Sequence, residues 1–144
     1  MIEICDWRVA EAGIRHVRHT VFTLEQGIDS ALDFDGRDAD CVHALARDDE
    51  RNAVGTARLQ PEGKIGRIAV LPAHRSRGLG RALTRALIGA AEARGLDEVY
   101  LHSQVRVAGF YAGMGFRTQG EPFMEAGIEH IKMALSLRAS RAPR

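Results

Sequence analysis

The sequence predicts an α/β fold, with a mixed, mostly antiparallel sheet of roughly six to seven strands flanked by helices. Three observations carry this expectation. Apolar residues recur at two-residue spacing in some stretches and at helical spacing in others, in the order β-α-β-β-β-α-β-α-β-β. The passage from the strand at 64–71 to the strand at 97–103 runs through one long helix, which makes those strands parallel neighbours with a right-handed crossover. A chain of 144 residues, 45% hydrophobic and 27% charged, suits one globular domain with a substantial core.

Ile2 and Ile4 alternate weakly and suggest a short first strand over 2–6. Ile14, Val17, Val21 and Leu24 fall on one face of an amphipathic helix from Val9 to Leu24. Residues 25–40 then form an acidic loop with room for a helical turn. Glu25, Asp29, Asp33, Asp35, Asp38 and Asp40 face one cation, Arg37, and Gly27 and Gly36 punctuate them. Strands at 41–47 and 53–60 follow, joined by the polar turn DDERN. The turn QPEG then leads into the strand at 64–71, so that three strands make an antiparallel meander. A helix from Leu79 to Arg94 buries Leu79, Leu83, Leu87 and Ala90, and Gly95 terminates it. Beyond the strand at 97–103, a short helix from Val105 to Met114 ends at Gly115. A final hairpin of about 116–121 and 130–137 leaves Phe123 and Met124 in its loop, and the basic tail from residue 138 carries no apolar pattern and is expected to be disordered.

Composition excludes several classes of function. A net charge of +1 gives no general attraction to nucleic acid or membrane. No apolar run is long enough to span a bilayer, and MIEICDWR lacks the regions of a signal peptide, so a cytoplasmic location is expected. Cys5 and Cys41 lie in strand-like stretches without metal-binding spacing and read as buried, reduced thiols. His16 and His19 share a helix face, but no carboxylate or cysteine stands at matching spacing. The acidic loop also departs from the calcium-loop pattern, so no metal is expected.

The chemistry concentrates in VLPAHRSRGLGRAL, Val70 to Leu83. An apolar strand ends at Pro72, and a basic, glycine-containing turn opens the long helix. Free N–H groups at such a helix start bind phosphate. Gly78 and Gly80 remove the Cβ atoms that would hold a ligand away, and Arg75, Arg77 and Arg81 add bidentate positive charge. The GxxxxGK[ST] loop is absent. GLGRAL places Leu83 where a dinucleotide fingerprint needs a small residue, and the N-terminal half lacks βαβ repetition.

A third pattern fits. Arg75-Ser76-Arg77-Gly78-Leu79-Gly80, after a strand ending V-L-P, resembles the acetyl-CoA loop of the GNAT N-acetyltransferases. Ala108-Gly109-Phe110-Tyr111 followed by Gly115-Phe116 resembles that family's A-x-F-Y-x-x-x-G-F signature. Val21-Phe22 with Glu25-Gln26, Leu101-His102-Ser103-Gln104, and Glu125-Ala126-Gly127-Ile128 with His130 and Met133 resemble its ElaA/YjcF-like branch.

The resemblance implies a single acetyltransferase domain over 1–137, with acetyl-CoA as co-substrate. It implies that Arg75 and the backbone of Arg77, Gly78, Leu79, Gly80, Arg81 and Ala82 hold the CoA phosphates. The strands at 64–71 and 97–103 would splay, with the pantetheine arm against Ile68, Ala69 and Val70 and near Gln104, Ala108 and Tyr111. At position 104 many relatives carry Asn in place of Gln. The Val70 N–H would stabilise the thioester oxyanion, and Tyr111 would protonate the leaving thiolate. Glu25, Asp35, His43 and His102 are candidate general bases; Glu25, Gln26 and His102 are placed at the acceptor site.

The expected reaction is direct acetyl transfer to a primary amine. The acidic loop motivates a small cationic acceptor such as a polyamine or aminosugar. The alternatives are a CoA-binding sensor without turnover and a protein-lysine acetyltransferase. Family members also commonly dimerise through their last strands, which makes a homodimer an expectation here.

Overall fold

A computed structural model describes residues 1–138; the basic tail beyond Arg138 lies outside the described residues. The chain divides into two compact units, Met1–Ala90 and the residues from Ala91 onward. The expected strands are all present, and their ladders form two hydrogen-bonded sheets rather than one. Every strand pair among the described residues is antiparallel.

The first unit is built on the sheet β1-β2-β3-β4, comprising Ile2–Asp6, Val42–Arg47, Ala53–Leu59 and Ile65–Val70. Helix α1, Trp7–Arg18, is capped by Asp6, whose carboxylate accepts from the Val9 N–H. Its apolar stripe of Ala10, Ile14 and Val17 is buried; Ile14 and Ala10 pack with Leu45, and Val17 packs with Val21 and Ala69. Cys41 is buried and Cys5 only half-buried; burial pushes the Cys5 thiol up to about 11.

The first helix does not continue to Leu24 as an α-helix. From His19 to Glu25 it widens into a π-helical turn, closed by the Gln26 N–H donating to the Val21 carbonyl at 3.1 Å. The extra residue per turn rotates Leu24 off the apolar face, and it is 69% exposed. A short helix α2, Ser30–Asp33, follows.

The acidic loop is a second correction. Arg37 pairs with Glu62, while three arginines from other elements neutralise the aspartates. Arg18 of α1 donates to Asp33 and Asp38, Arg58 of β3 to Asp35 and Asp38, and Arg67 of β4 to the Asp33 carbonyl and to Asp35. Arg18, Asp33, Asp38 and Arg58 are all buried. Asp33 and Asp38 lie inside an ion-pair network, and Asp35, at its exposed edge, is held by Arg58 and Arg67.

Arg67 also marks where β4 bends. Gly55 pairs with Val70 and Thr56 with Ala69, but Arg58 pairs with Gly66, so β4 carries one extra residue opposite Ala57. Arg67 takes φ +51° at this bulge, and its guanidinium is tied to the acidic loop.

Helix α3, Leu79–Ala93, buries Leu83, Leu87 and Ala91, so the stripe ends one residue later than Ala90. In the second unit β5, Glu98–Gln104, lies beside β7, Ile128–Ser136, which pairs with β6, Arg117–Glu125. A single turn of α4, Ala108–Ala112, follows β5 by way of a 3₁₀ turn. The last hairpin is tighter than expected. Ala126 and Gly127, both at positive φ, form its two-residue turn, and a bulge between Gln119 and Phe123 absorbs the extra length. Phe123, Met124 and Glu125 therefore belong to β6 and not to a loop.

Candidate active site

In the first unit the candidate residues gather where β4 becomes α3. The Leu71 N–H donates to the Val54 carbonyl at 2.8 Å, so Leu71 is the hydrogen-bonded member of the ladder there. Hydrogen-bonded and open pairs alternate in an antiparallel ladder, so the neighbouring Val70 points its N–H and C=O away from β3. Because β4 is an edge of its sheet, that N–H leaves the sheet altogether. Ala69 is buried, whereas Ile68 and Val70 are half-buried beside it.

A 3₁₀ turn over Pro72–His74 carries the chain into the basic turn. Ser76 at φ +64° and Gly78 at φ +78° bend it sharply. The first helical bond of α3 runs from the Ala82 N–H to the Gly78 carbonyl at 3.0 Å. The N–H groups of Leu79, Gly80 and Arg81 thus precede the helix ladder, which is the arrangement that binds anions. A Cβ built on Gly78 or Gly80 would meet nothing within 4 Å. Arg75, Arg77 and Arg81 are exposed around this opening.

Two residues expected in different roles are joined. Arg75 donates from Nη1 and Nη2 to the two carboxylate oxygens of Glu25, at 2.7 and 2.5 Å, and from Nε to the Val70 carbonyl at 2.9 Å. These hydrogen bonds hold the Glu25 carboxyl below its usual range and raise the guanidinium above its own. Gln26 follows Glu25 at the end of the π-helical turn and is exposed. Asp35 and His43, the other candidate bases of this unit, are both committed elsewhere. Asp35 is held by Arg58 and pulled down by that bond. His43 is buried, with Nε2 2.9 Å from the Asp38 carbonyl, and burial lowers it.

The second unit places Tyr111 on α4, half-buried, with its ring edge-on to Phe110 at 5.0 Å and to Phe116 at 5.9 Å. Burial raises its phenol above the ordinary value, so it stays protonated through neutral pH. Ala108 begins α4. Gln104 ends β5 and accepts from Arg106 Nε at 2.9 Å, so its side chain already has one partner. His102, two residues earlier, lies 3.0 Å through Nδ1 from Glu125 Oε1. Glu125 has no role in the sequence reading beyond its part in the branch motif. Its nearness to His102 follows from the two-residue turn at Ala126-Gly127, which residue types alone leave ambiguous with a longer loop.

The chain is similar to proteins of one family. A model of the acetyltransferase (GNAT) domain matches residues 32–137. The chain is 34% identical over 122 residues to YjcF of Bacillus subtilis, named as an uncharacterized N-acetyltransferase, covering 82% of this chain and 86% of that one. Its fold is similar to the crystal structure of an acyl-CoA N-acyltransferase from Pseudomonas aeruginosa, with a TM-score of 0.84 and 30% identity over 94% of this chain and 99% of that one. Escherichia coli ElaA gives the same TM-score at 27% identity, again over 94% and 99% of the two chains. The chain belongs to the GNAT acetyltransferase family, whose members are acyl-CoA-dependent N-acyltransferases.

Proposed function

We infer that the protein transfers an acetyl group from acetyl-CoA directly to a primary amine of a small molecule. The observation that carries this reading is the pair of unladdered donors on either side of the basic turn. The Val70 N–H leaves the edge of β4, and the Leu79, Gly80 and Arg81 N–H groups open α3. The helix start suits the CoA phosphates, with Arg77 and Arg81 adding charge and Ala82 closing the first turn. The strand edge of Ile68, Ala69 and Val70 suits the pantetheine arm. The Val70 N–H then donates to the thioester oxygen as negative charge develops there.

The amine lone pair forms the C–N bond, the C–S bond breaks, and Tyr111 gives its proton to the thiolate. Gln104 and Ala108 belong to the CoA side of this reading, and Glu25 and Gln26 to the acceptor side. Glu25, gripped at both oxygens by Arg75, serves there as a fixed negative charge rather than as a proton acceptor. Arg75 balances that charge, just as Arg18 and Arg58 balance Asp38, so neither ion pair by itself selects a cationic acceptor.

The test is thiol release from acetyl-CoA with a panel of polyamines, aminosugars and lysine peptides, alongside CoA binding by calorimetry. Acetyl transfer to at least one small amine supports the reading. Preference for peptides would move the acceptor to protein lysine. CoA binding with no transfer to any amine would make the chain a CoA-binding module instead.

A further inference from the structure

Alternation along β5 buries Val99, Leu101 and Ser103 and turns Tyr100, His102 and Gln104 to the other face of the three-stranded sheet. The register sets His102 opposite Lys132, Gln104 opposite His130, and His130 opposite Phe123. Glu125 stands two residues beyond Phe123 and reaches both imidazoles. Its Oε1 is 3.0 Å from His102 Nδ1, and its Oε2 is 3.7 Å from His130 Nε2, too far for a hydrogen bond. The Phe123 ring meets His102 edge-on at 5.0 Å and stacks on His130 at 6.1 Å. The Tyr100 ring lies tilted 6.3 Å from that of His102, with Lys132 Nζ over it at 4.6 Å. The groups facing His102 are therefore Glu125 from β6, Lys132 and His130 from β7, and Tyr100 on its own strand.

These contacts fix a tautomer. A carboxylate only accepts, so the His102 nitrogen beside Glu125 must carry the hydrogen, and in the neutral ring the lone pair is left on Nε2. His130 is oriented separately, with Nδ1 2.7 Å from the Ile128 carbonyl. His102 keeps 25% of its side-chain surface in solvent, enough to meet a ligand, while Phe123 and Glu125 restrict its rotation.

We propose that His102 Nε2 is the proton acceptor for the incoming ammonium and that Glu125 is its positioning residue. The proposal rests on the acetyl-transfer reading above. In the step, His102 takes one proton from R–NH3⁺, and the freed lone pair forms the C–N bond as C–S breaks. A second proton, shed by the nitrogen after that bond has formed, makes good the one given to the thiolate. The imidazolium, held at Nδ1 by Glu125, then returns its proton to water. One ammonium and one thioester yield one amide, one thiol and one proton.

Two measurements test this. The first needs no turnover: long-range ¹H–¹⁵N spectra of the histidine side chains at a pH where His102 is neutral. The Nδ1–H tautomer of His102 is expected in the wild type, with loss of that preference in Glu125→Ala. An Nε2–H tautomer in the wild type would overturn the assignment, whatever the enzyme does. The second compares amines that are protonated at the assay pH with hydroxylamine and methoxyamine, which are largely neutral there. His102→Gln should lower kcat about 10²-fold or more with protonated amines, as expected for loss of a general base, but less than about tenfold with the neutral nucleophiles. Glu125→Gln should give a smaller loss with the same selectivity. An equal loss for both amine classes would make His102 structural and overturn the proposal. Absence of transfer by the wild type to any amine would instead remove the function on which it rests, while the spectra still decide the tautomer.

Discussion

Arg75 grips Glu25 through both carboxylate oxygens while its Nε holds the carbonyl of Val70, so one guanidinium ties the end of the π-helical turn to the end of β4. The arrangement gives Arg75 two separable roles. If it is a phosphate ligand, Arg75→Ala should weaken CoA binding about tenfold or more, the scale of a lost charge-assisted hydrogen bond, and Glu25→Gln should leave it within about threefold. If the pair is only a brace for the turn, both substitutions should weaken CoA equally. Calorimetric titration of CoA into the two variants separates the outcomes, and the phosphate role predicts the first.

The two loop glycines should respond differently to substitution. Gly78 sits at φ +78°, so any side chain there strains the backbone, whereas Gly80 lies in the first turn of α3 at ordinary φ with open space around its Cβ position. Gly80→Val should therefore leave the melting temperature within a few degrees and abolish CoA binding, because the branched Cβ fills the space in front of the helix N–H groups. Unchanged CoA affinity in a folded Gly80→Val protein would place the phosphates elsewhere.

Tyr111 is raised by burial, so its phenol keeps its proton further into the alkaline range than a free tyrosine. An acid whose value is raised acts at every pH below that value, so activity lost through Tyr111 ionisation should fall only above about pH 10. Tyr111→Phe should lower kcat by about 10²-fold or more with little change in CoA affinity. A stopped-assay pH profile of thiol release, run for both proteins, checks the two points together.

The fold was legible because its signals are local. The periodicity of Ile14, Val17 and Val21, the Gly95 stop and the alternation of Val99 and Leu101 each report one element. The glycine spacing of residues 75–80 was equally legible, since a helix start that binds anions needs those residues at that spacing. Long-range pairings were not. Nothing in the composition of residues 25–40 shows that their aspartates meet Arg18, Arg58 and Arg67, which lie outside that stretch. The π-helical widening left no pattern of its own, since Val21 and Leu24 keep helical spacing in the sequence. The hairpin turn at Ala126 was hidden because an alanine at positive φ is uncommon.

The buried network makes the last prediction. Burial opposes the Asp38 charge, but Arg18 at 2.6 Å and Arg58 at 3.1 Å outweigh it and hold the carboxyl below its usual range; Arg58 does the same to Asp35. A carboxyl lowered in the folded state stabilises the fold at every pH above its unfolded value, near 3.9, and loses that contribution as pH falls through the folded value. Asp38→Asn leaves two buried guanidinium groups short of a partner, so it should cost about 3–5 kcal/mol at pH 7. Below about pH 4 the unfolded wild-type chain takes up a proton at Asp38 that the folded protein still refuses, so the wild type loses stability and the gap between the two proteins should narrow. Urea unfolding at a series of pH values measures that gap directly. A difference that stayed constant from pH 7 to pH 3 would mean that the Asp38 charge contributes nothing and that the cost of substitution is one of packing.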